Sequence, residues 1–384
     1  MTEVMERAKL SHAVVFRDAA CYSAHPHMAV AADRTWLLVF TQAPRRPVVL
    51  HPPLDPDFRN MLLRSTDEGR TWQGPEPVPD ADATGMECAG LTPLPDGRVI
   101  LNQWQFDWID PDGIDLSSAG PDVALPDWLA RARAGSVDIG VLGTREDDAD
   151  LFRLARCNGG CRISVAADGG APFVPATSPP TAPYSGGYGM RGAVIAGNGD
   201  ILLPLSDVPH YARIFILRSS DDGTTWGAPE HVCAKVDCEF EEPAPIRLPD
   251  GEILIVLREN ISRRLHAVRS ADDGRTWSAP VDLRIEDYPA DLLLLHDGRL
   301  AMVAGRRREP FGIGLYLSAD GGRSWSEPWM IRDDLPDIDL GYPTLAQREN
   351  GDLVVVYYGR DEAGITGLQS TTIPEGELRG RGTP

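Results

Sequence analysis

Two residues that could together perform nucleophilic chemistry occupy equivalent positions in the sequence. Glu242 lies nine residues before Gly251, and Tyr342 lies nine residues before Gly351. Each glycine belongs to a short turn between two apolar runs, which is the pattern of a β-hairpin. A tyrosine hydroxyl is a poor nucleophile because its ordinary pKa is about 10, but a neighbouring carboxylate that accepts its proton activates it. If the two hairpins belong to equivalent units, Tyr342 and Glu242 form such a pair.

The hairpin turn recurs along the chain and alternates with a second motif. The turns are Ala32-Asp33-Arg34, Pro95-Asp96-Gly97, Gly197-Asn198-Gly199, Pro249-Asp250-Gly251, His296-Asp297-Gly298 and Glu349-Asn350-Gly351. The second motif, Ser-x-Asp-x-Gly-x-Thr-Trp, has copies at Ser65 to Trp72, Ser219 to Trp226, Ser270 to Trp277 and Ser318 to Trp325, with a degenerate copy from Ala166 to Phe173. We interpret this motif as structural, because its Ser and Asp can hydrogen-bond the amides of their own turn while its Trp packs between sheets.

The alternation of the two motifs divides the chain into six units. Units of four short strands predict an all-β, six-bladed β-propeller that forms a single domain over residues 1–384. One interval is longer, so we expect an insertion at about 107–150 in the second blade, either a lid or a decoration of the blade edge. The Gly- and Pro-rich segment 374–384 is expected to be a flexible tail. Closure of the ring removes exposed strand edges, and Ala13–Phe16 is expected to complete the last blade.

The composition excludes several kinds of partner. Lys and Arg number 37 against 57 Asp and Glu, a formal net charge of −20. Such a charge repels phosphate backbones and anionic lipid, so neither nucleic acid nor a membrane is an expected partner. The charged N-terminus lacks the apolar core of a signal peptide, which predicts a cytoplasmic protein. The six cysteines do not follow a zinc-binding spacing, and we interpret them as free structural thiols with no metal.

The register of the turns predicts which side chains meet. Residues at equivalent positions near the starts of the inner strands point toward the mouth of the central channel. The six positions are His25, Cys88, Met190, Glu242, Pro289 and Tyr342. Arg191 adjoins Met190, and Arg258 lies seven residues after Gly251. We therefore expect His25, Arg191 and Arg258 to contact substrate beside Tyr342 and Glu242.

The Ser-x-Asp motif resembles the Asp-box, or BNR repeat, of the sialidase superfamily, and the resemblance covers nearly the whole chain. In sialidases a Glu begins an inner strand nine residues before the turn Gly and an Arg follows seven residues after it, as Glu242 and Arg258 do here. Sialidases also carry a Tyr nine residues before the turn Gly of the last blade, which Tyr342 matches. The resemblance implies a retaining exo-glycosidase with Tyr342 as nucleophile and Glu242 as its base. It implies no metal or organic cofactor.

Sialidases normally bind the substrate carboxylate with three Arg, because guanidinium and carboxylate match in bidentate fashion. Arg258 is the first candidate. Arg307 is the second, with the Arg on either side of it as alternatives. The third position departs from the sialidase pattern, because Ala24 occupies it. Arg17 lies seven residues too early, although a longer loop could return it to the site.

A general acid is expected on the loop between the first hairpin and the first Ser-x-Asp motif, where sialidases place an Asp. Asp55 fits that spacing best, and Asp57 is the alternative. Because Ala24 stands in place of the third Arg, nearby histidines are also candidates for the site. His51 or His25 could donate the proton instead, with Arg59 as a contact to the anion.

Three functions are compatible with these residues. The first is a sialidase-like exo-glycosidase that hydrolyses a terminal acidic sugar, sialic acid or a related nonulosonic acid, so that its partner is a small saccharide with a carboxylate. The second is a lyase or hydrolase for uronic-acid saccharides, in which His25 and Tyr342 abstract the proton next to the carboxylate. The third is a non-catalytic carbohydrate-binding propeller, because similar propellers carry unrelated functions. We favour the first.

Overall fold

A computed structural model describes residues 9–46, 57–79, 85–109, 155–184, 187–207 and 211–382. Within them, six antiparallel sheets form the blades of a β-propeller, which confirms the predicted fold. The first strand, β1 (Ser11–Phe16), belongs to the sixth blade. The first blade consists of β2 (Cys21–Val30), β3 (Trp36–Pro44), β4 (Arg59–Ser65) and β5 (Gln73–Pro77). The second consists of β6 (Gly85–Pro93), β7 (Val99–Ile109), β8 (Ala155–Ala166) and β9 (Val174–Thr177).

The third blade has a divided inner strand, β10 (Gly187–Tyr188) and β11 (Val194–Ile195), followed by β12 (Ile201–Asp207), β13 (Arg213–Ser219) and β14 (Glu230–Ala234). The fourth consists of β15 (Phe240–Arg247), β16 (Ile253–Glu259), β17 (Arg264–Ser270) and β18 (Val281–Asp282). The fifth consists of β19 (Ala290–Leu294), β20 (Leu300–Arg306), β21 (Gly312–Ser318) and β22 (Trp329–Arg332). The sixth contains β23 (Gly341–Gln347), β24 (Leu353–Arg360) and β25 (Thr366–Ile373).

The ring closes as the sequence predicts. Strand β1 pairs antiparallel with β25 and forms the outer edge of the sixth blade, with His12 opposite Thr371. The segment expected to be a flexible tail differs from that expectation. It contains helix α1 (Glu375–Arg379), whose Leu378 is 1% exposed and packs into the core that also includes Leu353 and Ile373. Arg299 also donates to the carbonyls of Leu378 at 3.0 Å and Arg381 at 2.7 Å, so apolar packing and hydrogen bonds together hold the described part of this segment against the blade.

The six turns between the first and second strands of each blade share one geometry. In the fourth blade the Gly251 amide donates to the Leu248 carbonyl at 2.9 Å, and the Leu248 amide donates to the Glu252 carbonyl at 2.8 Å. Gly251 has a φ of 90°, a conformation that glycine adopts without steric penalty. The first turn alone uses a larger residue there, Arg34, at a φ of 69°. The turns therefore place the inner strands of the blades in a common register.

The Ser-x-Asp motifs form the hydrogen bonds expected of a structural turn. In the fourth blade the Ser270 hydroxyl accepts the Gly274 amide at 2.9 Å, and Asp272 accepts both the amide and the hydroxyl of Thr276. These bonds from Thr276, together with one from Ser270, hold the pKa of Asp272 near 2. The other three full copies repeat the pattern at Asp67, Asp221 and Asp320. Hydrophobic side chains of neighbouring sheets fill the space between the blades.

Four further expectations concern the insertion, the cysteines, membrane spans and metal sites. Strands β7 and β8 flank the expected insertion, most of which lies outside the described residues. Free thiols are carried by Cys21, Cys88, Cys161, Cys233 and Cys238. No described helix has the length and apolar character needed to cross a membrane, and within the described ranges no group of three His, Cys, Asp or Glu is placed to hold a metal ion.

Candidate active site

The inner strands carry a bulge at the positions that the turn register singles out. Pairing with the second strand shifts between Ala24 and His27 in the first blade, and between Glu241 and Ala244 in the fourth. The same shift occurs in the second and sixth blades. The residues at the bulges have positive φ although none is glycine: His25 (53°), Cys88 (42°), Glu242 (55°) and Tyr342 (45°). A bulge re-aims the side chain of its strand, and backbone strain of this kind is concentrated at functional sites.

Tyr342 and Glu242 meet at the channel mouth. The Tyr342 hydroxyl donates a short hydrogen bond to Oε1 of Glu242. Tyr342 is 3% exposed and Glu242 2% exposed. Burial, and then the neighbouring Glu242 carboxylate, raise the pKa of the Tyr342 phenol well above its usual range. The phenol is therefore protonated at neutral pH, and its proton already points at the group that would accept it.

Glu242 also binds a guanidinium and a second phenol. Arg258 Nη1 lies 3.2 Å from Oε2 and 3.3 Å from Oε1 of Glu242. The Tyr188 hydroxyl donates to Oε1 at 3.3 Å. On its other side, Arg258 Nε lies 3.2 Å from Oε1 of Glu241, which is also buried. Burial, and then the adjacent Glu242 carboxylate, raise the pKa of Glu241 to about 7, so this carboxyl changes charge near neutral pH.

Arg307 also lies against the ring of Tyr342. Its guanidinium carbon is 5.3 Å from the centre of the Tyr342 ring and 5.9 Å from that of Tyr288. The Arg258 guanidinium lies 4.6 Å from the same Tyr288 ring, so one aromatic ring contacts both cations by cation–π interaction. Nη2 of Arg307 donates to the Leu340 carbonyl at 3.2 Å. Both guanidinium groups of the expected carboxylate clamp therefore converge beside the Tyr–Glu pair.

The alternatives to Arg307 point elsewhere. Arg308 Nη1 binds Oδ1 of Asp287 at 2.7 Å, and Arg306 Nη1 lies 3.8 Å from the same oxygen. Asp287 is fully buried, and it also accepts the Tyr316 hydroxyl at 2.7 Å. The two neighbouring guanidinium groups thus share a carboxylate of their own blade, and Arg307 alone of the three contacts Tyr342.

His25 packs against the nucleophile candidate. The ring centres of His25 and Tyr342 are 4.2 Å apart, and His25 is 1% exposed. The ring centre of Tyr358 lies 5.3 Å from that of His25. Tyr358 and Tyr22 both donate to Oδ1 of Asp339, at 3.1 and 2.8 Å. This hydrogen-bonded group supports the His25–Tyr342 contact from behind.

Several residues of this cluster were not singled out in the sequence, although the same register contains them. Tyr358 lies seven residues after Gly351, as Arg258 lies seven after Gly251. Glu241 and Tyr288 each lie ten residues before their turn glycine. All three offsets, applied to every blade, identify these residues, and the offset of ten is not part of the sialidase pattern described above.

Arg191 does not occupy the position expected of a substrate contact. It is 2% exposed, and its guanidinium donates to three backbone carbonyls, those of Ala290 (3.1 Å), Pro26 (3.2 Å) and Pro343 (3.0 Å). These carbonyls belong to the fifth, first and sixth blades and follow the mouth positions in sequence. The guanidinium N–H groups that would bind a substrate instead donate to these buried carbonyls, which require hydrogen-bond partners. Arg191 therefore forms a crosslink inside the channel. The position of Arg191 next to Met190 in the sequence therefore does not place its guanidinium at the channel mouth.

The remaining predicted residues lie apart from this cluster or outside the description. Arg17 forms an ion pair with Asp361 at 2.6 Å on the sixth blade, which corrects the alternative that it returns to the site. Arg59 begins β4, two strands outward from the inner edge, and its Nη1 donates to the Phe58 carbonyl at 2.7 Å. Its role as an anion contact stays a prediction. Asp57 pairs with Arg46. Asp55 and His51 lie outside the described residues.

Comparison with known proteins places this geometry in a family. A model of the BNR repeat-like domain matches residues 158–355. A protein of unknown function from Dyadobacter fermentans is similar in structure, with a TM-score of 0.76 and 22% identity over 94% of this chain and 98% of the other. A point mutant of the NanB sialidase from Streptococcus pneumoniae gives a TM-score of 0.65 at 14% identity, over 95% of this chain and 70% of the other.

The fold is also similar to that of an α-L-arabinanase from Penicillium chrysogenum complexed with arabinobiose. The TM-score is 0.60 and the identity 13%, over 95% of this chain and 98% of the other. No curated protein sequence matches the chain. At these identities the similar structures establish the fold, and glycosidases of more than one substrate class share it. The repeat motifs, the six blades and the family match together show that the chain belongs to the BNR repeat-like domain family.

Proposed function

We propose that this protein is a retaining exo-glycosidase that removes a terminal acidic sugar, sialic acid or a related nonulosonic acid, from a small saccharide. The observation that carries the proposal is the hydrogen bond from the Tyr342 phenol to Glu242, both on strained bulges of their inner strands. The two guanidinium groups around Tyr288 support an anionic substrate. The global charge of −20 would repel such a substrate, so the local Arg pair has to attract it.

In the proposed reaction each group has one task. Arg258 and Arg307 bind the substrate carboxylate and place the anomeric carbon over Tyr342. The phenol oxygen attacks that carbon while Glu242 takes the phenol proton, and the bond to the leaving oxygen breaks as an acid protonates it. We retain Asp55 as the proposed acid. Water then attacks the anomeric carbon while the Asp55 carboxylate takes a proton from it. The bond to the Tyr342 oxygen breaks, and Glu242 returns its proton to that oxygen.

A phenol suits this substrate better than a second carboxylate would. The anomeric carbon of a nonulosonic acid bears the carboxylate, and a neutral phenol approaches it without the charge repulsion that an Asp or Glu nucleophile meets. The high pKa of Tyr342 is compatible with this role because Glu242 removes the proton only during attack. No step requires a metal or organic cofactor. The cytoplasmic location stays a prediction.

The test is turnover of a fluorogenic α-sialoside by the wild type and by Tyr342→Phe and Glu242→Gln. We expect turnover to fall about 10²–10⁴-fold in each variant, the usual contribution of a positioned base or nucleophile. A fluorinated analogue of the sugar, which slows hydrolysis of the intermediate, should label Tyr342 in the wild type, as read by peptide mass. Turnover of the sialoside without labelling, or unchanged turnover in Tyr342→Phe, would contradict the mechanism.

A second function is favoured by one contact, the packing of the His25 ring against the Tyr342 ring at 4.2 Å between ring centres. In a lyase for uronic-acid saccharides the His–Tyr pair would abstract the proton next to a carboxylate that Arg258 or Arg307 neutralises. The bond to the leaving oxygen breaks, and an unsaturated sugar forms. Its ultraviolet absorbance, absent from a hydrolysis product, distinguishes the two reactions. Saccharide binding that is unaltered in Tyr342→Phe, with no turnover in either protein, would indicate a binding propeller instead.

A further inference from the structure

A second cavity opens on the central channel at the end opposite to Tyr342. It measures 530 Å³ and is lined by residues of the inner strands close to the hairpin turns. We call it the rear cavity and define it by His27, Met28, Leu91, Arg191, Asp291 and Leu345. Small-molecule sites in proteins occupy about 300–1,000 Å³. The Arg191 crosslink, bound to the carbonyls of Pro26 and Pro343, lies between this cavity and the candidate active site.

Asp291 gives the rear cavity a buried acceptor. It is 9% exposed. Oδ2 accepts the Thr344 hydroxyl at 2.7 Å, and Oδ1 accepts the Leu292 amide at 3.0 Å. Each carboxylate oxygen can accept two hydrogen bonds, so acceptor capacity remains on both. Arg191 Nε lies 3.9 Å from Oδ1, and its charge offsets that of the carboxylate.

His27 gives the cavity a buried donor. It is 7% exposed, and its Nδ1 accepts the Leu91 amide at 3.0 Å. Burial lowers the pKa of His27 to about 4, so the ring is neutral at pH 7. A neutral ring that accepts at Nδ1 carries its proton on Nε2. Within the described ranges no side chain or carbonyl accepts a hydrogen bond from that Nε2–H.

The walls of the rear cavity combine polar and apolar groups. Its polar groups occur among apolar side chains, including those of Met28, Leu91, Pro93 and Leu345. A pyranose has the matching character, because its hydroxyls both donate and accept while its C–H face is apolar. Asp291 would repel an anionic ligand, and Arg191 would repel a cationic one. The two opposite charges lie close to each other, so the cavity favours a ligand without net charge. We propose that the rear cavity is a second binding site, for a neutral monosaccharide or a polyol of similar size.

The probes are methyl β-D-galactopyranoside and methyl α-D-glucopyranoside, titrated into the full chain by ligand-observed NMR. We expect binding of at least one probe with a Kd of about 1 mM, equivalent to about 4 kcal/mol. Two variants address the cavity. Ala32→Trp places a large ring at an exposed lining position, and Asp291→Asn removes the carboxylate. Each should weaken binding at least tenfold.

Two controls define what the result means. Ala363→Trp changes another exposed alanine in a turn, one that does not line the cavity, and should bind the probe as the wild type does. Tyr342→Phe should also bind normally, because the rear cavity does not use the active-site candidate. Binding that persists in Ala32→Trp, is lost in Tyr342→Phe, or is absent for both probes would overturn the proposal. Melting temperatures of all variants separate loss of binding from loss of fold, and Ala32→Trp keeps the test decisive if Asp291→Asn unfolds.

Discussion

The phenol of Tyr342 donates its hydrogen bond to a carboxylate 100 residues away in the chain, that of Glu242. The two residues lie in the sixth and fourth blades, and each has a positive φ at the bulge of its inner strand. Neither conformation is one that such a residue adopts readily, so the surrounding sheets must impose both. The closed ring of blades therefore brings the two side chains together, and we expect them to act as one catalytic unit.

The double variant Tyr342→Phe/Glu242→Gln tests that unity. If Glu242 serves only to accept the phenol proton, removing both groups should reduce turnover no more than about tenfold beyond either single change, because residues that act together are strongly non-additive. The measurement is kcat for each of the four proteins on one glycoside. Losses that multiply across the two sites would indicate independent roles.

Arg258 and Arg307 are expected to bind the substrate carboxylate through planar, paired donors that lysine lacks. Arg258→Lys and Arg307→Lys should each lower kcat/KM about tenfold to a hundredfold for an acidic glycoside, since hydrogen bonds between charged groups contribute about 1.5–3 kcal/mol. Arg308→Lys is the matched control, because Arg308 pairs with Asp287 instead of contacting Tyr342. An equal loss in the control would show that the effect comes from the blade and not from the carboxylate clamp.

Glu241 should make stability depend on pH. Its pKa in the folded protein is raised to about 7 from an ordinary value of 4.5, so the folded state binds its proton more tightly than the unfolded state does. The stability that this proton provides is complete below the ordinary pKa and is lost as pH rises through about 7.

Glu241→Gln cannot lose that proton. We expect its melting temperature, relative to that of the wild type, to increase between pH 5 and pH 8. Glu239→Gln, which changes an exposed carboxylate two residues away, is the control and should run parallel to the wild type. Parallel curves for Glu241→Gln as well would contradict the assigned shift.

Arg191 should matter for stability. Arg191→Met leaves three buried carbonyls without donors and leaves Asp291 without its nearest described cation. We expect a loss of about 3–5 kcal/mol in the free energy of unfolding, the range for breaking a buried charged contact. Arg17→Met removes a partly exposed ion pair and should change the same quantity by at most about 1 kcal/mol. Urea unfolding of both variants gives the comparison, and similar losses would argue against the crosslink.

The repeat made much of this site predictable. A turn with one hydrogen-bonding pattern fixes the register in each blade, with Arg34 at its positive-φ position in the first blade and Gly in the others. Counting nine residues back from that position identified four bulged positions, and counting seven forward identified Arg258. Arg307 was chosen among three adjacent Arg and does contact Tyr342, but strand β20 ends at Arg306, so the chain beyond the strand and not strand alternation sets its direction. Counting could not assign Arg191, because the inner strand of its blade is divided into β10 and β11 and the residue lies between them.

The sequence by itself determined the class of fold, the number of blades, the strand that closes the ring and the meeting of Tyr342 with Glu242. All of these follow from a local pattern that repeats along the chain, because the distance in sequence from each turn shows which residues occupy equivalent positions. Only the tertiary structure decided how the buried charges are paired. Arg258 lies against both Glu241 and Glu242, while Arg191 binds three backbone carbonyls and offsets the charge of Asp291 in the rear cavity. Those contacts join different blades or adjacent residues on a bulge, where side-chain direction depends on packing that the spacing of residues does not encode.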